Sequence, residues 1–347
     1  MKKFFSPPML LASLALLALP LAHAQTDSAL PSYQPHDVPM PKNESYVLKD
    51  GSIYIVGDDG MKEILEKFNE AFTKTHPAFR FTMLLKGSST GIGGLTAGVS
   101  AFAPMGREAW ATDVSGFREF IGYVPTDFVI GYDAFGPRAG HKSPPGIYVN
   151  IKNPLASLTT EQVARILTTG ASKGDITHWS QLGLKGEWAK RLIHTYGPRD
   201  DGGMSTSARN SLMHKLPFTR NYEGLENGAD IIHAVADDPY GIALVGFIDA
   251  AKLSHHVKFV SLRSKDGAPF SDASYENVTA GRYPYEPNLH IYVNRAPGKA
   301  LDPFIKEYLR LVLSREGQAI IEAKKNSDEG FVPLKEHELA AELAKLE

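Results

Sequence analysis

Three short stretches combine small residues, hydroxyls and a coming helix: "GDDGM" (57–61), "GSSTG" (87–91) and "RDDGGMS" (199–205). Each follows a β-prone run and precedes a segment that reads as a helix. A helix start presents N–H groups without intrahelical partners and roughly half a positive charge, which suits an anion. Glycines let the backbone approach a ligand closely, and serine hydroxyls add donors. Hydrogen bonds to a charged group contribute on the order of 1.5–3 kcal/mol each. Arg107 and Arg199 lie beside two of these turns. The candidate chemistry is recognition of an oxyanion by converging amides, hydroxyls and two guanidinium groups.

The segments around these turns alternate strand and helix, which predicts parallel sheets covered by helices. "GSIYIVG" and "FRFTMLL" read as strands, and "SAFAPMG" is strand-like. Between the first two, Ile64, Leu65, Phe68 and Phe72 recur at helical spacing, and Pro77 ends the helix. "YVPTDFVIGYDAFG" is a long β-prone run suited to crossing between domains. Thr159 and Gln162 form a capping box, with Gly170 expected to close that helix. Asp302 and Pro303 start the helix whose face carries Phe304, Ile305, Tyr308 and Val312. In a sheet of this kind the three turns lie at the carboxyl ends of strands, where ligands bind.

The 347 residues contain no cysteine, which excludes disulfides, thiolate metal sites and acylated-cysteine anchors. Formal net charge is −2, so a basic nucleic-acid footprint is absent. Lys2 and Lys3, an apolar run from Met9 to Leu21 and Ala22-His23-Ala24 read as a secretory signal peptide over 1–24. An exported chain without a lipid anchor is expected in the periplasm. Residues 25–47, with Pro31, Pro35, Pro39 and Pro41, read as a flexible arm. No metal-ligand spacing and no Gly-x-Ser-x-Gly motif is present, and no cofactor or metal is expected. Trp110 and Trp179 are expected to pack, His255-His256 to lie on the surface, and Asp200-Asp201 to orient Arg199.

The ordered set "GSSTGI", "APMGR", "GPRDDGGMST", "GIALVGF" and "YPYEPNLHIYV" resembles the phosphate-binding proteins of bacterial ABC phosphate importers. The resemblance covers about residues 50–325. It implies an α/β, two-lobed periplasmic binding protein fold of type II, each lobe a mostly parallel sheet flanked by helices, joined by two crossing segments. Lobe one would comprise 48–130 and 270–347, and lobe two 131–269. It also implies a monomer without catalysis that holds phosphate or a related oxyanion in the interlobe cleft and delivers it to an inner-membrane ABC permease. Carried over residue by residue, the ligand set is Gly60, Met61, Ser88, Ser89, Arg107, Arg199, Gly203, Met204 and Ser205.

The sequence departs from that pattern where Gly60, Ala101, Gly106 and Gly203 replace polar side chains of the family. Asp58 and Asp59 stand near the expected anion site. They either face solvent, cap the following helix, or accept a proton from the ligand. A protonated phosphate needs such an acceptor and sulfate does not. Two other readings stay open: an exported phosphoester hydrolase using the same cradle, and a sensory or interaction module with altered ligand binding.

Overall fold

The computed structural model describes Met1 and residues 30–138, 141–201, 203–246, 248–249, 255–264, 267–285 and 288–347. Apart from Met1, the expected signal peptide lies outside the described residues, as do residues 25–29 of the expected arm. In lobe one, β1 (Ile53–Gly57) leads to α1 (Lys62–Thr75), β2 (Phe81–Leu85) to α2 (Ser89–Thr96), and β3 (Ala103–Met105) to α3 (Ala111–Ile121). Then comes β4 (Thr126–Tyr132). Lobe two holds β5 (Lys142–Ser143), β6 (Gly146–Asn150), β7 (Ser157–Thr159), α4 (Thr160–Leu167), β8 (His194–Pro198) and α5 (Gly203–Leu212). It continues with β9 (Tyr222–Leu225), α6 (Gly228–Asp237), β10 (Gly241–Val245), β11 (Ile248–Asp249) and β12 (Val257–Arg263). After α7 (Tyr275–Thr279) the chain re-enters lobe one with β13 (Asn288–Val293), α8 (Pro303–Val312), α9 (Arg315–Ala323) and α10 (Glu336–Ala344).

Lobe two is built on one six-stranded sheet in the order β7-β12-β6-β10-β8-β9. Lobe one pairs β1 with β2 and carries β3-β13-β4 as a second sheet. The sheets are mixed rather than mostly parallel. β1–β2, β8–β9, β8–β10 and β7–β12 run parallel. β6–β10, β6–β12, β3–β13, β4–β13 and β5–β11 run antiparallel. The reason is topological: the chain crosses between lobes once in each direction. The strands flanking the two crossings, β4 with β13 and β6 with β12, therefore lie side by side in opposite senses.

Ile64, Leu65, Phe68 and Phe72 of α1 are fully buried. Phe72 meets Phe79 and Phe304 edge to face at 5.3 and 5.7 Å, and Phe102 lies 4.7 Å from Tyr308. Each such side chain contributes roughly 1.5–3 kcal/mol on burial. Asp302 caps α8 through the amides of Phe304 and Ile305. Thr159 and Gln162 cap α4 reciprocally, but that helix ends at Leu167, ahead of Gly170. Two close approaches fix the loops of lobe one. A Cβ on Gly57 would lie 2.3 Å from the Pro104 carbonyl oxygen, and one on Gly94 would lie 2.9 Å from Val56 Cβ. Only glycine lets β1 and β3 run this close, and their trailing loops then face one another.

Residues 30–47 are pinned, which corrects the expectation of a flexible arm. Ser32 Oγ and the Tyr33 amide each donate to Glu316 at 2.6 Å. The His36 amide donates to Glu307 at 3.0 Å. Tyr33, Val38 and Met40 pack against the main core. Prolines hold the segment extended, and two carboxylates on α8 and α9 anchor it.

Candidate functional site

A cavity of about 790 Å³ lies between the lobes. On one side it is lined by the loops that follow β1, β2 and β3: Asp58, Asp59 and Gly60; Ser88 and Ser89; Gly106, Arg107 and Trp110. On the other it is lined by Lys142, Pro145, Gly203, Met204 and the following turns of α5. The expected topological position is therefore the one observed.

The centre of the lobe-one half is the Asp58 carboxylate. The Gly60 amide donates to one of its oxygens at 2.7 Å. The Ser88 hydroxyl donates to the other in a short contact, and the Gly106 amide reaches the same oxygen at 3.3 Å. Gly106 also donates to Ser88 Oγ at 3.0 Å. Donors from three separate loops thus converge on one negatively charged group, here one of the protein's own. Of the alternatives for Asp58, helix capping is not realised: it accepts from the Gly60 amide in a turn ahead of α1, whose N-cap Met61 has no side-chain cap, and it lines the cavity. Asp59 is exposed and also lines the cavity.

Arg107 is fixed beside this cluster. Its guanidinium donates to Asp113 at 3.0 Å and to Ser89 Oγ at 3.2 Å, and lies 3.7 Å from the centre of the Trp110 ring. Its side chain is 15% exposed, so the charge faces the cavity with little freedom. Trp179 is fully buried, whereas Trp110 lines the cavity as the platform beneath Arg107.

Gly60, Ser88, Ser89, Arg107, Gly203 and Met204 are brought to one cavity. Met61, Arg199 and Ser205 are not among its lining residues. Met61 is 1% exposed and its side chain joins the core. Ser205 is buried, and its hydroxyl turns back along α5 to donate to the Pro198 and Arg199 carbonyls. Arg199 is half-exposed and donates to Asp201 at 2.7 Å and Glu226 at 3.0 Å. Asp201 orients Arg199 as expected, but Asp200 pairs with Arg209 instead. His255 and His256 are exposed.

Sequence reasoning missed the acidic floor. Asp133, just after β4, is 8% exposed, and its Oδ1 has no hydrogen-bond partner. Burial pushes its carboxyl well above the usual range, and Glu329 and Asp58 push it the same way. Glu329 forms an ion pair with Lys142, yet burial still raises its carboxyl above the usual value. Asp127 and His290 line the same wall, with His290 Nδ1 2.9 Å from Asp127 Oδ1. These residues come from distant parts of the chain and share no local motif. Among the described residues, no group of three or more His, Cys, Asp or Glu is arranged to hold a metal ion. Among them, too, no helix is long and apolar enough to cross a membrane.

Two α/β lobes around an interlobe cavity floored by strand-end loops are the architecture of solute-binding proteins. A family model described as the PBP superfamily domain matches residues 47–316, and the chain belongs to this superfamily. Within it, the chain is 30% identical over 316 residues to the phosphate-binding protein PstS of Pseudomonas aeruginosa, covering 90% of this chain and 89% of that protein. Among solved structures it is similar to PstS from Borrelia burgdorferi, with a TM-score of 0.55 and 20% identity over 81% of this chain and 98% of that one. An ABC-type phosphate transport receptor from Vibrio cholerae gives a TM-score of 0.53 and 20% identity over 81% of this chain and 99% of that one. At these identities the two structures speak for the fold.

Proposed function

We propose that the chain is a periplasmic solute-binding protein that captures a phosphate group in the interlobe cavity and presents it to an ABC importer. The observation that carries this reading is the convergence of the Gly60 amide, Ser88 hydroxyl and Gly106 amide on the Asp58 carboxylate, with Arg107 fixed alongside. A site that holds one oxyanion with three donors has the groups to hold another. The 30% identity to PstS of Pseudomonas aeruginosa supports phosphate as the guest.

Asp58 gives the site its selectivity. A carboxylate accepts and cannot donate. An approaching oxyanion must either displace it from Ser88 or bring a proton to it. Protonated phosphate does the second: its P–O–H donates to Asp58 while its other oxygens take Ser89, Arg107 and the Gly203 and Met204 amides at the start of α5. Sulfate brings no proton and meets a bare negative charge. Lobe closure then excludes water and strengthens each contact. This closure also brings Arg199, on the β8–α5 turn, and Ser205, in the first turn of α5, nearer the guest. The chain acts as a monomer without catalysis. Equilibrium titration of the exported form with phosphate, sulfate and molybdate tests this. Tight binding of phosphate and weak binding of sulfate are expected. Absence of phosphate binding would defeat it, and a melting temperature unmoved by saturating phosphate would favour a sensory or interaction module instead.

A further inference from the structure

The floor of the cavity holds two carboxyls of opposite character side by side. Asp58 follows β1 and accepts from the Gly60 amide, the Ser88 hydroxyl and the Gly106 amide, as an ionised carboxylate does. Asp133 follows β4 and is 8% exposed, and its buried Oδ1 has no hydrogen-bond partner. Gly106 places the two together. A Cβ there would lie 3.3 Å from Asp58 Oδ2 and 3.7 Å from Asp133 Oδ2. Because residue 106 is glycine, the point between the carboxyls carries no side chain, and Asp58, Gly106 and Asp133 all line the cavity.

The backbone on both sides of Asp133 is fixed. Tyr132 exchanges backbone hydrogen bonds with Val332 at 2.7 and 2.9 Å, and the Gly136 amide donates to the Ala273 carbonyl at 2.7 Å. Between them Ala134 is fully buried with φ +72°, a left-handed conformation that a residue with a side chain keeps only where its surroundings impose it. Charged groups face Asp133 from several elements. Burial, Glu329 of the α9–α10 loop and Asp58 all oppose its ionisation, while Lys142 of β5 and Arg138 of the crossing segment offset them only in part. Lys142 is paired with Glu329, and Arg138 donates to the Ser327 and Asp328 carbonyls at 2.9 and 2.8 Å. Arg107, on the same cavity lining, is paired with Asp113. The neutral acid is therefore the resting form of Asp133.

We propose that Asp133 is a second ligand-reading residue, which donates its carboxyl proton to a bare oxygen of the bound phosphate while Asp58 accepts the ligand's P–O–H. This rests on the phosphate reading above and adds a residue to the site. The proton sits on Oδ2, which faces the point beside Gly106. The unpartnered Oδ1 is then a carbonyl oxygen, less costly to leave unpaired than a charged one. A bare ligand oxygen at the Gly106 point meets the Asp133 O–H, and the adjoining P–O–H turns to Asp58. One neutral and one ionised carboxyl together match a phosphate that presents both kinds of oxygen. Asp133 thus supplies a donor to a charged guest without adding a negative charge to the cavity. The arriving anion makes ionisation of Asp133 costlier still, so the complex keeps the proton. Where the carboxyl is ionised before binding, one proton is taken up from solvent along with the ligand.

Calorimetric titration of the signal-free chain with inorganic phosphate, from about pH 5 to about pH 10, tests the inference on the parent, Asp133→Asn and Asp133→Ala. The asparagine amide keeps an N–H donor and cannot ionise, whereas alanine has no donor. Phosphate is expected to bind Asp133→Ala about tenfold to a hundredfold more weakly than Asp133→Asn. As pH rises through the raised Asp133 value, the parent is expected to lose affinity relative to Asp133→Asn by up to about tenfold per pH unit, with proton uptake seen as a buffer-dependent enthalpy. Phosphate's own ionisation cancels in that ratio. A carboxyl that serves the fold alone would shift the melting temperatures of the variants and leave both comparisons flat. Equal affinities of the two variants, or a parent-to-asparagine ratio constant over the range, would overturn the inference, and the second comparison stands even where the alanine variant does not fold. If the parent binds phosphate and these comparisons are flat, this inference fails alone. If the parent binds no phosphate, the phosphate reading fails and takes it along.

Discussion

The Ser88 hydroxyl donates to the Asp58 carboxylate across the gap between the loops that follow β2 and β1, and the Gly106 amide closes the triangle onto both. The contact sets the cradle before any ligand arrives. Ser88→Ala removes a donor to a charged group, worth about 1.5–3 kcal/mol. Phosphate affinity is expected to fall roughly tenfold to a hundredfold in calorimetry. Unchanged affinity would separate Ser88 from binding.

Asp58→Asn converts an acceptor-only carboxylate into an amide that also donates. The discrimination between phosphate and sulfate is expected to narrow, mainly because sulfate binds better. Competition titrations of the two anions measure it. A discrimination ratio equal to that of the parent would show that Asp58 does not read the ligand proton.

Gly57→Ala drives a methyl group into the Pro104 carbonyl, 2.3 Å from the built Cβ. The backbone hydrogen bond from the Asp58 amide to Pro104 lies at the same place, at 3.0 Å. Overpacking of this kind costs about 1–3 kcal/mol. Denaturant unfolding should show that loss, and phosphate affinity should fall with it, since β1 and β3 carry Asp58 and Gly106. An equally stable variant with parent affinity would contradict the role assigned to this close approach.

Asp133 has a folded-state carboxyl value raised by burial. The folded state therefore binds its proton more tightly than the unfolded chain does. Its contribution is fully present below the unfolded carboxylate value of about 4 and is lost as pH rises through the raised folded value. Asp133→Asn is expected to flatten the fall in stability over that window, measured by denaturant unfolding from about pH 4 upward. A pH profile parallel to the parent's would contradict it.

Glu316 behaves in the opposite sense. Ser32 and the Tyr33 amide hold its carboxyl down at about 2. The docking of residues 30–36 that it supports is present above the unfolded carboxylate value and is lost as pH falls through about 2. Glu316→Gln is expected to speed proteolysis and amide exchange in that segment at neutral pH while leaving β1–α1 protected. Unchanged exchange there would show that the arm is held by its apolar contacts alone.

The turns at 57–61 and 87–91 were legible because helix-start chemistry is local: glycine, hydroxyl and helical period are written within a few residues. The α/β class was legible for the same reason. What was not legible depends on direction and on distance. Ser205 carries the right hydroxyl, but in the first turn of α5 it points back to Pro198. Arg199 carries the right charge, but the neighbouring Asp201 and the distant Glu226 hold it. Mixed sheets follow from two opposed crossings, which no single segment encodes. Asp133, Lys142 and Glu329 meet only in three dimensions, and nothing in their sequence neighbourhoods marks them. The prolines of the arm were read as freedom, although an extended segment also fits against a surface that supplies Glu307 and Glu316.

In the proposed function the loops after β1, β2 and β3 receive the phosphate group. A crystal structure of the signal-free chain grown with inorganic phosphate tests it most directly. One ion is expected in the interlobe cavity, with an oxygen about 3 Å from Arg107 and a protonated oxygen about 2.6 Å from Asp58. A phosphate ion bound elsewhere, or an empty cavity with Asp58 still held by Ser88 at saturating phosphate, would contradict it.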